Sequence, residues 1–204
     1  MFCSLPPATP PRYPQRSLDD PAMARVRHSL QRLLDNHHPY PGAVIDRAWN
    51  VVLANHAATT ALVDPLPAEL AGPPTNVFRA CLHPEGLARH TLNFSEVAAY
   101  LLGQLQHLAM LSPDEEVTGL LGEVSDYPNV AGLGDWHRLR LPEEPALLVP
   151  WRLRLGGVDL SLFTTLTVFG TPQDVTLAEL AVELFYPADD ATEDALRRRP
   201  GAPG

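Results

Sequence analysis

A chain of 204 residues with a formal net charge of −9 and only two cysteines, Cys3 and Cys81, excludes several classes at once. Two cysteines cannot frame a disulfide-rich secreted scaffold, and they suit a reducing, cytoplasmic setting. All 15 cationic side chains are arginine, and an acidic chain repels phosphate, so direct nucleic-acid binding by this chain is not expected.

The remaining composition points to one globular domain. Hydrophobic residues make up 45% of the chain, enough to build a core without a metal or disulfide staple. No apolar run approaches the ~20 residues that would span a bilayer, so no membrane segment is expected. The start, MFCSLPPATPP, has no basic region followed by an apolar one and is not a secretory signal. Residues 1–17 are proline-rich and read as a disordered lead-in, with the domain over 18–199 and a short tail at 200–204.

Order begins at Asp19-Asp20-Pro21, where Asp can cap and Pro fits a first helical turn. Met23, Val26, Leu30, Leu33 and Leu34 follow at three- and four-residue steps, which predicts an amphipathic helix over 20–36, ended by Pro39 and Pro41. Its narrow apolar seam either packs on its own domain or forms a homodimer contact.

A short hairpin is predicted next, with strands at 43–45 and 50–53 joined by Asp46-Arg47-Ala48-Trp49. Asn55 is placed to cap a short helix, 65–74 reads as a proline-rich loop, and 76–83 as another short helix broken by Pro84 and Gly86. Asn93-Phe94-Ser95-Glu96 has the form of a capping box, in which Asn93 accepts a backbone N–H and Glu96 reaches back. Phe94, Val97, Leu101, Leu102, Leu105 and Leu108 then mark a long leucine-rich helix, and Ser112-Pro113-Asp114-Glu115 opens one more.

After an irregular stretch over 127–146 the period changes from helical to alternating. Strands are predicted at 147–155, 158–169 and 175–186, with Gly156-Gly157 as a hairpin turn, and a closing helix starts at Asp190. This order predicts an α+β fold of the PAS type: a five-stranded antiparallel sheet with helices over one face and an internal cavity.

The chemistry-bearing motifs are few. There is no nucleophile elbow, P-loop, HExxH or CxxC, and Gly132-x-Gly134 lacks the third glycine of a dinucleotide fingerprint. No catalytic residue, cofactor or metal is expected. Cys81, His83 and His90 match no common zinc spacing and read as ordinary side chains. Arg152 and Arg154 share a strand face, as do Glu179 and Glu183; these charges are either a solvated face or the source of one charge that enters the cavity. The leucine helix either fills the core or lines an apolar pocket.

Four stretches carry a resemblance to a known family: YPQRSLDDP at 13–21, YPGAVIDRAWNVVLANHA at 40–57, HPEGLARHTLNFSEV at 83–97 and LFTTLTVFGTPQDVTLAELAVELFYPADD at 162–190. Together they resemble the ligand-binding domain of MmyB-like transcription regulators, over roughly residues 13–197. The resemblance implies a PAS-like sensor that accepts a small apolar, fatty-acid-like molecule. It also implies a preceding helix-turn-helix of the Xre type. MFCSLPPATPPR is too short and too proline-rich to form one, so the chain is expected to be a fragment, to have a misplaced start, or to be a free-standing sensor.

With that resemblance, Phe94, Leu101, Trp151, Phe163, Thr165 and Phe185 are the expected pocket-lining residues, with Arg89 or His90 at the mouth for a carboxylate. Phe163 and Thr165 are placed inward by strand alternation. Two other readings compete: an interaction module that dimerises through the 20–36 helix, and a small hydrolase. The hydrolase would need His83, His90 and Asp46 gathered at a cavity.

Overall fold

The computed structural model describes residues 18–111, 115–136, 150–169 and 179–198. The lead-in at 1–17, the helix cap expected at 112–114, the strand start at 147–149, the turn and strand start within 170–178, and the tail from 199 lie outside the described residues.

Side-chain caps set several of the helix starts. Asp20 accepts the Ala22 N–H at 2.8 Å and opens a 3-10 turn, Pro21–Met23, that runs into helix α1, Ala24–Asp35. Asn76 accepts the N–H groups of Phe78 and Arg79 and opens α2, Val77–Leu82. Asn76 also donates to Ala48 O at 2.9 Å, which ties α2 to the first hairpin. The leucine-rich helix is α3, Phe94–Leu111, followed by α4, Glu115–Ser125, with Val117, Leu120 and Val124 buried. Asn93 departs from the expected capping box. Its carboxamide oxygen accepts the Arg152 N–H at 3.0 Å, while its NH2 donates to Pro150 O and to Glu96. The side chain thus joins the start of α3 to a strand 59 residues away.

The strands are β1, Gly42–Ile45; β2, Val51–Ala54; β3, Trp151–Leu155; β4, Val158–Val168; and β5, Ala181–Pro187, followed by helix α5, Asp190–Arg198. They form one antiparallel sheet in the order β2-β1-β5-β4-β3. The first strand therefore pairs with the last, which places β1 in the interior of the sheet. A strand flanked on both edges and covered on both faces needs an unbroken apolar run, and all four residues of β1 are buried. The edge strand β3 shows the opposite pattern, with Trp151, Leu153 and Leu155 buried and Arg152 and Arg154 exposed. Gly156 and Gly157 have φ of +62° and +78°, which a two-residue hairpin turn requires and side chains resist. That turn fixes Leu155 opposite Val158 and, four residues back, Trp151 opposite Leu162.

The five-stranded α+β architecture is as expected; the helical cover is not confined to one face. The main core lies where α2, α3 and α4 meet Trp151, Leu153, Leu160, Leu162 and Phe185. A second core lies on the opposite face, where Met23, Leu30 and Leu34 pack on Val44, Val182 and Leu53. A Cβ built on Gly42 would stand 3.2 Å from Leu34 and 3.0 Å from Leu184, so α1 rests directly on the sheet there. The reason is in the sheet order: central β1 and β5 present apolar residues to both faces, and one helical layer cannot cover both. Of the α1 seam, only Leu33 is left outward, at 41% exposed. No helix among the described residues is long and apolar enough to cross a membrane.

The link between α2 and the 3-10 turn at Leu87–His90 yields a direct test of this packing. A Cβ on Gly86 would lie 2.4 Å from the backbone oxygen of Ala80, which has no rotamer to retreat into. Gly86→Ala is expected to cost about 1–3 kcal/mol in denaturant unfolding. Gly103→Ala, on α3 with open space around it, is expected to gain up to about 1 kcal/mol.

Candidate functional site

Between the sheet and the helices of the main core lies a hollow of about 110 Å³. Its floor is built from the rows of the sheet. Ala43 pairs with Ala54 on one side and with Glu183 on the other, and Thr164 pairs with Phe185. Directly paired residues share a face, so Ala54, Ala43, Glu183, Phe185, Thr164 and Leu162 point the same way. Two alanines side by side in this floor leave space that larger residues would fill. The roof comes from the 59–63 turn, from Val77, Ala80 and Cys81 of α2, and from Val97, Tyr100 and Leu101 of α3. Positions 97, 100 and 101 lie on one face of a helix. Tyr100, 42% exposed, stands at the rim.

The walls are mostly hydrocarbon. Cys81 is buried and burial pushes its thiol well above the ordinary range, so it lines the hollow as a neutral, inert group. Trp151 donates its indole N–H to the Thr91 hydroxyl at 3.0 Å and so offers only its ring. The Thr75 hydroxyl donates to Ala71 O. Glu183 is the exception. It is held deep in the fold with Thr164 as its hydrogen-bond donor, and burial raises its carboxyl to about 7. It keeps partial accessibility because the surface it shows is the wall of the hollow. Among the described residues lining the hollow there is no Arg or His, and the only other ionisable groups are Cys81 and Tyr100.

Three of the expected lining residues, Leu101, Trp151 and Phe185, border this space. Phe94 does not: it packs on the main core one turn before Val97. Phe163 and Thr165 sit on the opposite face of β4, where Phe163 stacks on Tyr186 with ring centroids 5.3 Å apart and Thr165 is exposed. The neighbours of opposite parity, Leu162 and Thr164, take the inward places. Arg89 and His90 are not at a mouth either. Arg89 donates to His90 and to Pro65 O and pairs with Glu85 at 3.6 Å, closing a surface loop.

The side chains that a hydrolase would have gathered are engaged separately. Asp46 accepts the N–H groups of Ala48 and Asn50 in the first hairpin turn, and His83 packs edge-on against Tyr127. Of the floor residues, Ala43, Ala54, Leu162 and Thr164 were not among those expected, whereas Glu183 was one of the four charges weighed for entry into the cavity. Glu183 had its signal, a charge on a strand otherwise apolar and aromatic; the alanines, which matter for what they lack, had none.

No curated protein matches this chain. A family model does, over residues 26–198, which takes in the main core, all five strands and every residue of the hollow. The fold and the match agree: this chain belongs to the family described as the MmyB-like transcription regulator ligand binding domain.

Proposed function

We propose that the chain senses a compact apolar molecule in the hollow between the sheet and helices α2 and α3, as the regulatory half of a transcription regulator. The observation that carries this is the hollow itself: alanines and one threonine in its floor, aliphatic and aromatic walls, and the family to which the chain belongs. Water gains little in such a place, because it needs two to four polar partners and finds few. An apolar cavity of roughly 150 Å³ stays dry and takes up benzene. At about 110 Å³ the present space suits a molecule of that size or a short alkyl chain, shorter than the fatty acids the resemblance suggests. A long acyl chain would have to part α3 from the sheet. A contact between copies through α1 has less to rest on, since Leu30 and Leu34 are already buried in this chain.

Thermal denaturation with toluene, n-butanol and a series of acids of increasing length tests the proposal. A saturable rise in melting temperature is expected for the compact compounds, about 2.7 kcal/mol at one hundred times Kd. Ala54→Leu, which fills the floor, is expected to keep the fold and abolish the rise. If no compound stabilises the protein, or the filled variant responds as well as the parent, the hollow is not a binding site.

A further inference from the structure

We infer that Glu183 is the polar anchor of the hollow and that it selects an apolar molecule carrying a protonated nitrogen, an alkyl or aryl amine, over the corresponding acid. This rests on the reading that the hollow takes a ligand at all, and it names the chemistry of that ligand's polar end.

The argument is one of unmet partners. An ionised carboxylate offers about four acceptor sites. Among the described residues, Glu183 has Thr164 as its donor, and no charged side chain contributes to the state of its carboxyl. The groups around the hollow from every side are known among the described residues. Ala43 lies beside Glu183 in the floor, with Ala54 one strand beyond it; Leu62 and Val63 come from the 59–63 turn; α2 supplies Cys81, and α3 supplies Tyr100. None is cationic. A carboxyl kept deep in hydrocarbon with so few partners is costly to the fold unless something else meets it. Its raised titration range has burial as its main cause, the expected mark of a charge without a counter-ion.

The same geometry weighs against an acid. A ligand carboxylate entering beside Glu183 would set like charges together in a medium that screens them poorly, and the described residues of the site include no arginine or histidine to neutralise either. Arg89 and His90, which could have done so at a mouth, lie away from the hollow and are bonded to each other on the surface. An ammonium group, by contrast, has three donors for the carboxylate and leaves its alkyl body to the alanine, leucine and tryptophan walls.

The test compares three probes with one skeleton, n-butylamine, n-butanol and butyrate, on the full chain at pH 8, where Glu183 is mostly ionised. Thermal denaturation and the change in tryptophan fluorescence, lost when Trp151 is replaced by phenylalanine, both report occupancy. The expected result is that butylamine binds at least about tenfold more tightly than butanol, and butyrate more weakly than butanol. Glu183→Gln is expected to lower the ratio of butylamine to butanol affinity at least about tenfold, to near one or below. Calorimetry on the parent protein at pH 7, in buffers of different ionisation enthalpy, gives a second reading that needs no variant: butylamine should release a fraction of a proton as Glu183 becomes charged. Butanol binding with equal or weaker binding of butylamine would overturn the anchor and leave the hollow's role intact. An amine preference that survives in Glu183→Gln, or binding without proton release, would do the same. If none of the three probes moves either readout, the hollow reading falls and the anchor falls with it.

Discussion

Replacement of Asn55 by alanine is expected to cost at least about 3 kcal/mol in denaturant unfolding, with the slope against denaturant unchanged. The side chain is 2% exposed and uses all of its hydrogen-bonding capacity. Its oxygen accepts the Gly42 N–H at 3.1 Å and the Ala58 N–H at 2.8 Å; its nitrogen donates to Leu34 O at 3.0 Å and Tyr40 O at 2.9 Å. One carboxamide thus joins the end of α1, the link to the sheet, the first residue of β1 and the turn after β2. Alanine would leave four backbone groups short of a partner inside the protein, each worth about 1–3 kcal/mol when left unmet. Partial hydration would recover some of that, so the estimate is set well below the sum. Against a total stability of about 5–15 kcal/mol this is a large fraction. Asn55→Asp separates hydrogen bonding from shape. It keeps both accepted bonds and turns both donated ones into contacts between a carboxylate and carbonyl oxygens. It is expected to be at least as damaging at pH 7 and to recover in part in acid, where protonation restores one donor. A loss below about 1 kcal/mol for either variant at pH 7 would mean the junction is held by apolar packing instead.

Local punctuation was the most legible layer of this fold. Asn55 and Asn76 sit before short helical patterns, and both cap them. Gly156-Gly157 lies between two alternating runs, and the hairpin forms there. These features act over two to four residues, a range within which sequence order is spatial order. The pairing of β1 with β5 acts over 136 positions or more, and only the apolar character of Gly42–Ile45 hinted that this strand is interior.

The inward face of β4 is an instructive miss, because the information was present. Alternation defines two faces and does not say which is inner. The aromatic Phe163 drew the choice to odd positions. The glycine turn, however, fixes Leu155 opposite Val158, so a buried Trp151 brings Leu162 inward with it and sends Phe163 to the α1 side. A register argument from the turn would have found Leu162 and Thr164. Asn93 misled for a related reason: a side chain that fits a local cap can serve a distant strand when one lies beside it.

Glu183→Gln is expected to stabilise the protein at pH 8 by up to about 3 kcal/mol and to leave its stability near pH 4 almost unchanged. The direction follows from the raised carboxyl. In the unfolded chain a glutamate ionises near its ordinary 4.5, and in the fold Glu183 holds its proton to about 7. Between those values the folded state binds more protons than the unfolded one, so stability falls as pH rises through that window. Below it both states are protonated and the penalty vanishes; above it the penalty is complete. A shift of that size corresponds to about 3 kcal/mol at 1.36 kcal/mol per pH unit. Glutamine has nearly the same shape, keeps a group for the Thr164 hydroxyl to meet, and carries no charge to bury. Other groups also titrate, among them Glu123, which Arg79 holds below the usual carboxylate range. The diagnostic is therefore the difference between parent and variant across pH, not either curve alone. Thermal unfolding from pH 4 to 9 should show two curves that coincide in acid and separate between about pH 5 and 7, by several degrees for a domain of this size. Curves that run parallel would mean that Glu183 already has a counter-charge in the folded chain. Saturating butylamine should narrow the gap from the other side, by supplying to the parent the positive charge that the variant no longer needs.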